Sequence, residues 1–162
     1  MEIQVRGKNV LRDKEQAALL KPKKKRYSLA DFTPVLRRQE YRVDENAFFL
    51  RLQMKTIPGD NAREHWRVKA ARMKVQRLRV KEYCGDAIGK RMTLPITITL
   101  TRISAGVLDD DNLCGALKAV RDGLADVFGL PDNSKLFTFH YAQATCPRGE
   151  AYVEIVVQER KG

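Results

Sequence analysis

The sequence has no long apolar run, few cysteines and no glycine-rich phosphate-binding loop. No stretch approaches the roughly 20 apolar residues of a membrane span. Residues 1–12 carry charges without an apolar stretch or a small-residue cleavage site, so we expect no secretory signal and predict a cytoplasmic protein. The three cysteines are odd in number and far apart, which is atypical of disulfide frameworks and zinc sites. We therefore expect reduced thiols, no membrane association and no small-molecule cofactor.

Positive charge is what the sequence has in excess. Lys and Arg number 31 against 20 acidic residues, which gives a formal net charge of +11. Such a surplus favours a polyanionic partner, because neutralising phosphates releases their counterions. We favour nucleic acid. An anionic membrane surface is the competing partner, but it prefers a basic helix with one large apolar face, and the basic helix described below divides its surface differently.

The 162 residues fit one domain with an appendage. Residues 1–46 contain twelve Lys or Arg and seven acids, with a block of like charge at Lys21–Arg26. We assign them to a basic, partly flexible N-terminal extension, which is either a solvated tail or a non-specific phosphate-binding arm. The domain itself is predicted to span residues 47–162.

From residue 47 the hydrophobic periodicity predicts alternating strands and helices. The predicted elements, in chain order, are a strand at 47–55, a helix at 63–83 ending near Gly85, a strand at 94–100, a helix at 112–128, and strands at 136–144 and 151–158. We join the last two strands as a hairpin through Pro147–Gly149. The order strand-helix-strand-helix-strand-strand predicts an α+β, or mixed α/β, fold.

The first predicted helix carries a basic surface. Between residues 63 and 83 eight bases minus two acids leave a surplus of +6. A merely soluble helix usually mixes the two signs, so we interpret the surplus as a phosphate-binding surface, with a solvated basic face as the alternative. The residues that we assign to DNA binding are Arg63, His65, Arg67, Lys69, Arg72, Lys74 and Arg77.

Two opposite apolar faces of the same helix are both able to pack. One holds Trp66 and Val80, and the other holds Val68 and Leu78. Stacking of Trp66 on a base is the alternative, but because Trp66 fits an apolar face we expect it in the core.

Asp109, Asp110 and Asp111 stand together where a strand leads into the second helix. Capping a helix requires one acid rather than three adjacent ones that repel each other. Asp109 and Asp111, two residues apart in extended chain, can point the same way. Carboxylates suit Mg²⁺, or Mn²⁺, which keeps several waters and completes its shell with substrate phosphate. We therefore predict a phosphodiesterase site, with a solvated turn as the alternative and with Asp110 facing away or capping the helix.

Further residues complete the predicted site. Lys118 shares a helix face with Asp111, Gly115 and Asp122, and would stabilise charge on the phosphate while Asp122 holds it. An ordinary surface ion pair explains the same spacing. Asp132, in the loop before the next strand, is the candidate third carboxylate. The predicted catalytic residues are thus Asp109, Asp111, Lys118 and Asp132, and the predicted metal ligands are Asp109, Asp111 and Asp132.

The string Asp109–Leu113, followed by a helix with a Lys and an acidic turn before a strand, resembles the RusA family of Holliday-junction resolvases. The upstream segment Ile57–Arg67, a turn with Asn before a basic helix, is also similar to that family and to its phage-borne members in particular. The resemblance covers about residues 47–158. It implies a homodimer in the bacterial cytoplasm, encoded by the host or by a phage, that nicks branched DNA with Mg²⁺ during recombination and repair.

Two positions depart from the family's pattern. Gly115 stands where the family often has its catalytic Lys, so Lys118, one turn later, is the substitute candidate. The late acidic turn is often Asp-Asp in the family and is Asp132-Asn133 here. Two other functions therefore stay open: a non-catalytic DNA-binding or architectural protein derived from a resolvase, and a nuclease that acts on RNA.

Overall fold

The computed structural model describes residues 40–44, 47–58, 65–89 and 91–160. Its elements, in chain order, are β1 (Glu40–Asp44), β2 (Ala47–Leu52), α1 (Trp66–Ile88), β3 (Ile96–Ser104), α2 (Asp110–Phe128), β4 (Phe137–Thr145) and β5 (Tyr152–Glu159). The α+β class and the element order predicted from residue 47 onward are confirmed. The extension as far as residue 39, the turn over 59–61 and Arg63 lie outside the described residues.

β1 joins the sheet from within the segment that we assigned to the extension. It pairs antiparallel with β2, with Glu40 opposite Arg51 and Asp44 opposite Ala47. The sheet therefore begins before residue 47, the point at which apolar and polar residues start to alternate regularly. Backbone pairing with β2 defines this strand, and such pairing leaves little trace in the residue pattern.

The five strands form one mixed sheet in the order β1-β2-β5-β3-β4. β3 and β4 are parallel and α2 connects them, whereas the other neighbouring pairs are antiparallel. The hairpin predicted for the last two strands is wrong, because β5 lies between β2 and β3 and does not pair with β4. The physical reason is burial: β5 contributes a fully buried row to the centre of the sheet, whereas β4, with exposed His140, Ala142 and Ala144, suits an edge.

A single core fills the space between one face of the sheet and both helices. Leu50, Ile155 and Leu100 lie side by side on β2, β5 and β3, and each is at most 2% exposed. α2 covers this face with one apolar stripe, and its buried members include Leu113, Ala116, Leu117, Val120 and Leu124. Within the described ranges, neither helix is long and apolar enough to cross a membrane.

The orientation predicted for α1 is wrong in part. Trp66 is 66% exposed and Leu78 is 55% exposed. The buried residues follow one stripe at intervals of four: Arg72, Gln76, Val80, Cys84 and Ile88. Two apolar faces compete on this helix, and the stripe that packs is set by the apolar residues of its second half, which extends past Gly85 to Ile88. The first half therefore buries polar side chains, and Gln76 Nε2 donates to the Lys55 carbonyl at 3.0 Å.

α1 and α2 approach each other closely at Gly123. A Cβ atom at this position would lie 2.7 Å from the Arg77 carbonyl oxygen and 2.8 Å from Val80 Cβ. Arg77 also binds Asp126 of α2 with two hydrogen bonds, from Nε at 2.5 Å and from Nη2 at 2.7 Å. The basic helix and the helix that begins at the aspartates are thus fixed side by side.

Candidate functional site

The loop between β3 and α2 is anchored by a buried arginine. Arg102, 5% exposed, donates from Nε to Thr56 Oγ1 at 3.0 Å and from Nη1 to the Gly106 carbonyl at 2.6 Å. Burial lowers the pKa of Arg102, but an arginine starts from so high a value that it stays cationic. A buried guanidinium is costly unless its donors are used, so these two bonds tie the loop to the sheet.

A second clamp holds the same loop immediately before the aspartates. Leu108 donates its backbone N–H to Gln143 Oε1 at 2.9 Å, and Gln143 Nε2 donates to the Leu108 carbonyl at 2.7 Å. Gln143 belongs to β4, so the strand parallel to β3 also positions the loop. The segment Asp109–Asp111, called the acidic segment below, therefore projects from a backbone fixed by two strands.

Asp109 is the N-cap of α2. Its backbone is extended, and its Oδ1 accepts from the Asn112 backbone N–H at 2.9 Å. Asn112 Nδ2 donates to both carboxylate oxygens, at 2.9 and 3.0 Å. These bonds, that from the backbone first, hold the pKa of Asp109 below its ordinary value. The capping role considered for Asp110 thus falls to Asp109, while Asp110 and Asp111 lie exposed in the first helical turn.

Asp132 lies away from the acidic segment. β3 and β4 are parallel. The acidic segment follows the C-terminal end of β3, whereas the loop with Asp132 precedes the N-terminal end of β4, so the two lie at opposite ends of these strands. Asp132 Oδ2 accepts from Arg121 Nη2 at 2.5 Å and is 3.9 Å from Lys118 Nζ. Lys118 is itself about 10 Å along the helix from Asp111. Within this chain Asp132 therefore lies apart from Asp109 and Asp111, and its role as a third ligand stays a prediction.

The same conclusion holds more generally for metal-binding groups. Across the part of the chain that the structure describes, no group of three or more His, Cys, Asp or Glu side chains could hold a metal ion. The acidic segment and Asp132 are separate features of the surface.

Lys118 and Asp132 belong to a cluster of ion pairs between α1, α2 and the loop before β4. Lys118 Nζ lies 3.2 Å from Asp122 Oδ1, the pair predicted from their spacing. The complete ion-pair cluster consists of Arg77, Lys118, Arg121, Asp122, Asp126 and Asp132. It borders a cleft of about 290 Å³. Three cations minus three carboxylates leave no net charge, so Lys118 is already neutralised by its neighbours.

Arg121, like Asp126, is a member of this cluster that sequence reasoning missed. Besides Asp132 it contacts the Tyr141 hydroxyl at 3.4 Å, and its guanidinium carbon lies 5.4 Å from the Phe139 ring centroid. The hydrogen bond to Tyr141, followed by the carboxylate of Asp132, raises the pKa of Arg121. Its spacing of three residues from Lys118 places Arg121 on the same helix face, which the sequence shows. Its contact with Asp132 depends on the path of the loop before β4, which the sequence does not show.

The residues predicted to bind DNA fall into two groups in the structure. Those that remain at least partly exposed without belonging to the ion-pair cluster are His65, Arg67, Lys69 and Lys74. Arg77 is engaged by Asp126, and Arg72 is only 4% exposed. The accessible residues among those predicted to bind DNA therefore lie in the first half of α1, and Arg72 is buried beneath them.

Comparisons with known proteins do not identify a function, so a functional proposal depends on the chemistry of these residues. No family model matches the chain, and no curated protein matches it. A solved structure of a protein of unknown function from Agrobacterium tumefaciens is 15% identical, with a TM-score of 0.42, and the match covers 79% of this chain and 86% of that one. The periplasmic domain of MotB is 12% identical, with a TM-score of 0.40 and coverage of 99% and 90%. Likeness at this level carries no functional inference.

Proposed function

We propose that this protein is a Mg²⁺-dependent endonuclease that cuts branched DNA, Holliday junctions among them, in recombination and repair. The proposal rests on the resemblance of the acidic segment and its surroundings to the RusA family. The observation that carries it is that Arg102 and Gln143 fix the loop from which three exposed aspartates project. Carboxylates that project from a backbone fixed in this way would be preorganised for a metal ion. As in that family, the working form would be a homodimer in the bacterial cytoplasm, from a host or a phage gene.

The donor chemistry fits a magnesium ion held by few protein ligands. Mg²⁺ commonly takes one or two carboxylates and fills its other positions with water and substrate phosphate. Asp109 and Asp111 can supply those two, and the hydrogen bonds from Asn112 keep Asp109 ionised. When bound, the ion would supply Lewis acidity toward the phosphodiester. Asp132, tied to Arg121, is not needed for such a site.

The DNA backbone would be bound by the basic half of α1. Arg67 and Lys74 are exposed there, in a protein with a net charge of +11. Phosphate contacts of this kind give affinity and orientation without sequence preference. Because α1 packs directly on α2, a duplex lying along α1 would pass close to the helix that the acidic segment begins.

A second function, DNA binding without catalysis, is favoured by one specific observation. Lys118 is paired with Asp122 and lies 3.9 Å from Asp132, so the cation that would replace the family's lysine is already neutralised. A protein with the same basic helix and no turnover would bind junctions and leave them intact. Divalent metal then distinguishes the two functions.

The decisive experiment incubates the protein with a labelled four-way DNA junction, the matching RNA junction, a blunt DNA duplex and a single strand, each with and without Mg²⁺ or Mn²⁺. An endonuclease of the proposed type nicks the junction in a metal-dependent manner and leaves the linear duplex largely intact. Junction binding without any metal-dependent product would favour the architectural function. Cleavage of an RNA junction in preference to DNA would redirect the proposal to RNA.

Asp111→Asn is the variant that tests the proposed ligand. We expect nicking to fall by at least about a hundredfold, because loss of a metal ligand costs more than loss of its supporting partner. Junction affinity measured by gel shift should be unchanged or slightly higher. Asp110→Asn is the matched control, with the same charge change in the same exposed turn, and it should retain nicking. Full activity of the Asp111 variant would exclude this site.

A further inference from the structure

Trp66 is exposed at a place where burial was expected. It is the chain's only tryptophan, it lies at the start of α1, and 66% of it is accessible to solvent. A large indole usually dominates a core or an interface, since it has the largest apolar surface of any side chain. Here the packing stripe of α1 starts at Arg72 and leaves Trp66 outside the core. An exposed indole of this kind calls for a ligand.

Two neighbours give the indole a cationic and aromatic setting. The His65 ring stacks against it, with ring centroids 5.9 Å apart and an interplanar angle of 27°. The Arg67 guanidinium carbon lies 5.1 Å from the Trp66 ring centroid. His65 Nδ1 also accepts from the Arg67 backbone N–H at 3.3 Å, as the cap of α1. The three residues, called the aromatic platform below, therefore form one local unit that is exposed throughout.

The surroundings of the aromatic platform select a nucleotide as its occupant. Arg67 lies over the indole ring and His65 stacks on it, and both side chains are exposed, so a base that displaces one of them can stack on Trp66 while the guanidinium offers a positive charge to its phosphate. The next exposed basic residue along the helix, Lys74, continues the positive surface away from the platform. A second copy of this chain is a poorer occupant, because the same basic helix would face its own charge.

We propose that the aromatic platform His65–Arg67 binds unpaired nucleotides by stacking a base on Trp66. Bases inside a duplex have both faces covered, so the indole reaches only those at a branch point, a gap or a single-stranded end. This deepens the proposed function and rests on it in one respect: it identifies the bases left unstacked at the branch point of DNA as what the protein recognises before any cut. The stacking itself requires no metal ion and no catalysis.

The single tryptophan makes the test direct. Trp66 emission is followed in EDTA while the full-length protein is titrated with an oligothymidylate single strand, a blunt duplex, and a four-way junction. We expect the single strand and the junction to quench the emission and the blunt duplex to leave it nearly unchanged. Equal quenching by duplex and single strand would overturn the proposal. So would an emission shift that depends on protein concentration alone, which would show that a second copy covers the indole.

Variants separate stacking from charge. Trp66→Leu keeps an apolar side chain without a stacking face and should weaken single-strand binding by about tenfold or more, whereas Trp66→Phe should recover much of it. Leu78→Ala, at another exposed apolar position of α1, is the control and should bind normally. Because Trp66 is mostly outside the core, helical circular dichroism of all variants should match the parent. Unchanged binding by Trp66→Leu would disprove the platform.

Failure of this proposal and failure of the proposed function have different signatures. Metal-dependent nicking by a Trp66→Leu variant with normal affinity for unpaired DNA would retain the endonuclease and remove the platform. Quenching by single strands in a protein that never nicks would retain the platform and remove the endonuclease.

Discussion

The two helices that the structure describes use their sequences in opposite ways. α2 has one apolar stripe, which is buried along most of its length, with an aspartate cap at its start and Gly129 in the left-handed conformation at its end. α1 buries Arg72 and Gln76 while it exposes Trp66 and Leu78. α2 is thus shaped by the core and by its caps. α1 satisfies the core with its second half and leaves its first half available for a ligand.

The contrast between α1 and α2 indicates where function can be sought in such a fold. In a helix whose apolar residues all face the core, packing alone accounts for the positions of those residues. In α1 the misplaced residues are a tryptophan and several cations, and local rules that fail in this way are expected at functional sites. α1 and α2 nevertheless share one tight contact, at Gly123, and substitutions there test how the two helices pack.

Gly123→Ala should give the largest change in stability. The added Cβ would meet the Arg77 backbone and Val80 of α1 at under 3 Å, so the helices must move apart. We expect the free energy of unfolding to fall by about 2 kcal/mol, despite the better helix propensity of alanine. Thermal or urea denaturation measures this change.

Gly85→Ala is the matched control for that variant. Gly85 lies inside α1, and its added Cβ would meet nothing within 4 Å. This variant should be more stable than the parent by about 0.5 to 1 kcal/mol, since only the helix propensity changes. Shifts of the same sign in the two glycine variants would contradict the described packing of α1 on α2.

The Arg77–Asp126 ion pair should give a smaller effect that depends on pH. The hydrogen bond from Arg77 holds the pKa of Asp126 below its ordinary value. The pair's contribution to the free energy of unfolding is therefore complete above the ordinary pKa of an aspartate, and it is lost as the pH falls through the lowered pKa of Asp126. Both side chains are partly exposed, which limits the contribution to about 0.5 kcal/mol. The stability difference between the parent and Asp126→Asn should be present at pH 7, shrink below about pH 4, and decrease in high salt. A difference that is constant across this range would show that the pair does not link the helices.

Each helix also carries one cysteine, and we expect the two thiols to differ in reactivity in the folded protein. The three thiols are free, as the sequence predicted. In α1 burial raises the pKa of Cys84 to about 12, whereas Cys114 in α2 is exposed. Thiolate is the reactive form, so iodoacetamide at pH 8 should label Cys114 and spare Cys84 in the folded protein. Mass spectrometry of the digested protein reads out both sites, and rapid labelling of Cys84 would indicate that the second half of α1 is not packed.

The sequence predicted most of the elements because they follow from local periodicity. The helix at 112–128 was predicted correctly, since its single apolar face from Leu113 to Leu124 leaves one way to pack. Trp66 was placed wrongly because two faces competed and tertiary contacts decided between them. The same limit applied to the β4–β5 hairpin and to Asp132: strand pairing and the return of a loop depend on residues distant in the chain. Asp109 and Asp111 could be selected as candidate ligands from their spacing, but the clamps from Arg102 and Gln143 could not.

The central place of β5 has a consequence for how the chain is made. Ala47 of β2 pairs with Gln158 of β5, and Thr97 of β3 pairs with the same residue from the other side. As the ribosome synthesises the chain from its N-terminus, β1 and β2 emerge early, and β3, α2 and β4 can associate as a second unit. The two units share no strand pairing until β5 has been translated and inserted between them. The sheet therefore cannot be completed before β5 has been translated, and until then two strand edges stay open to chaperones or to neighbouring nascent chains.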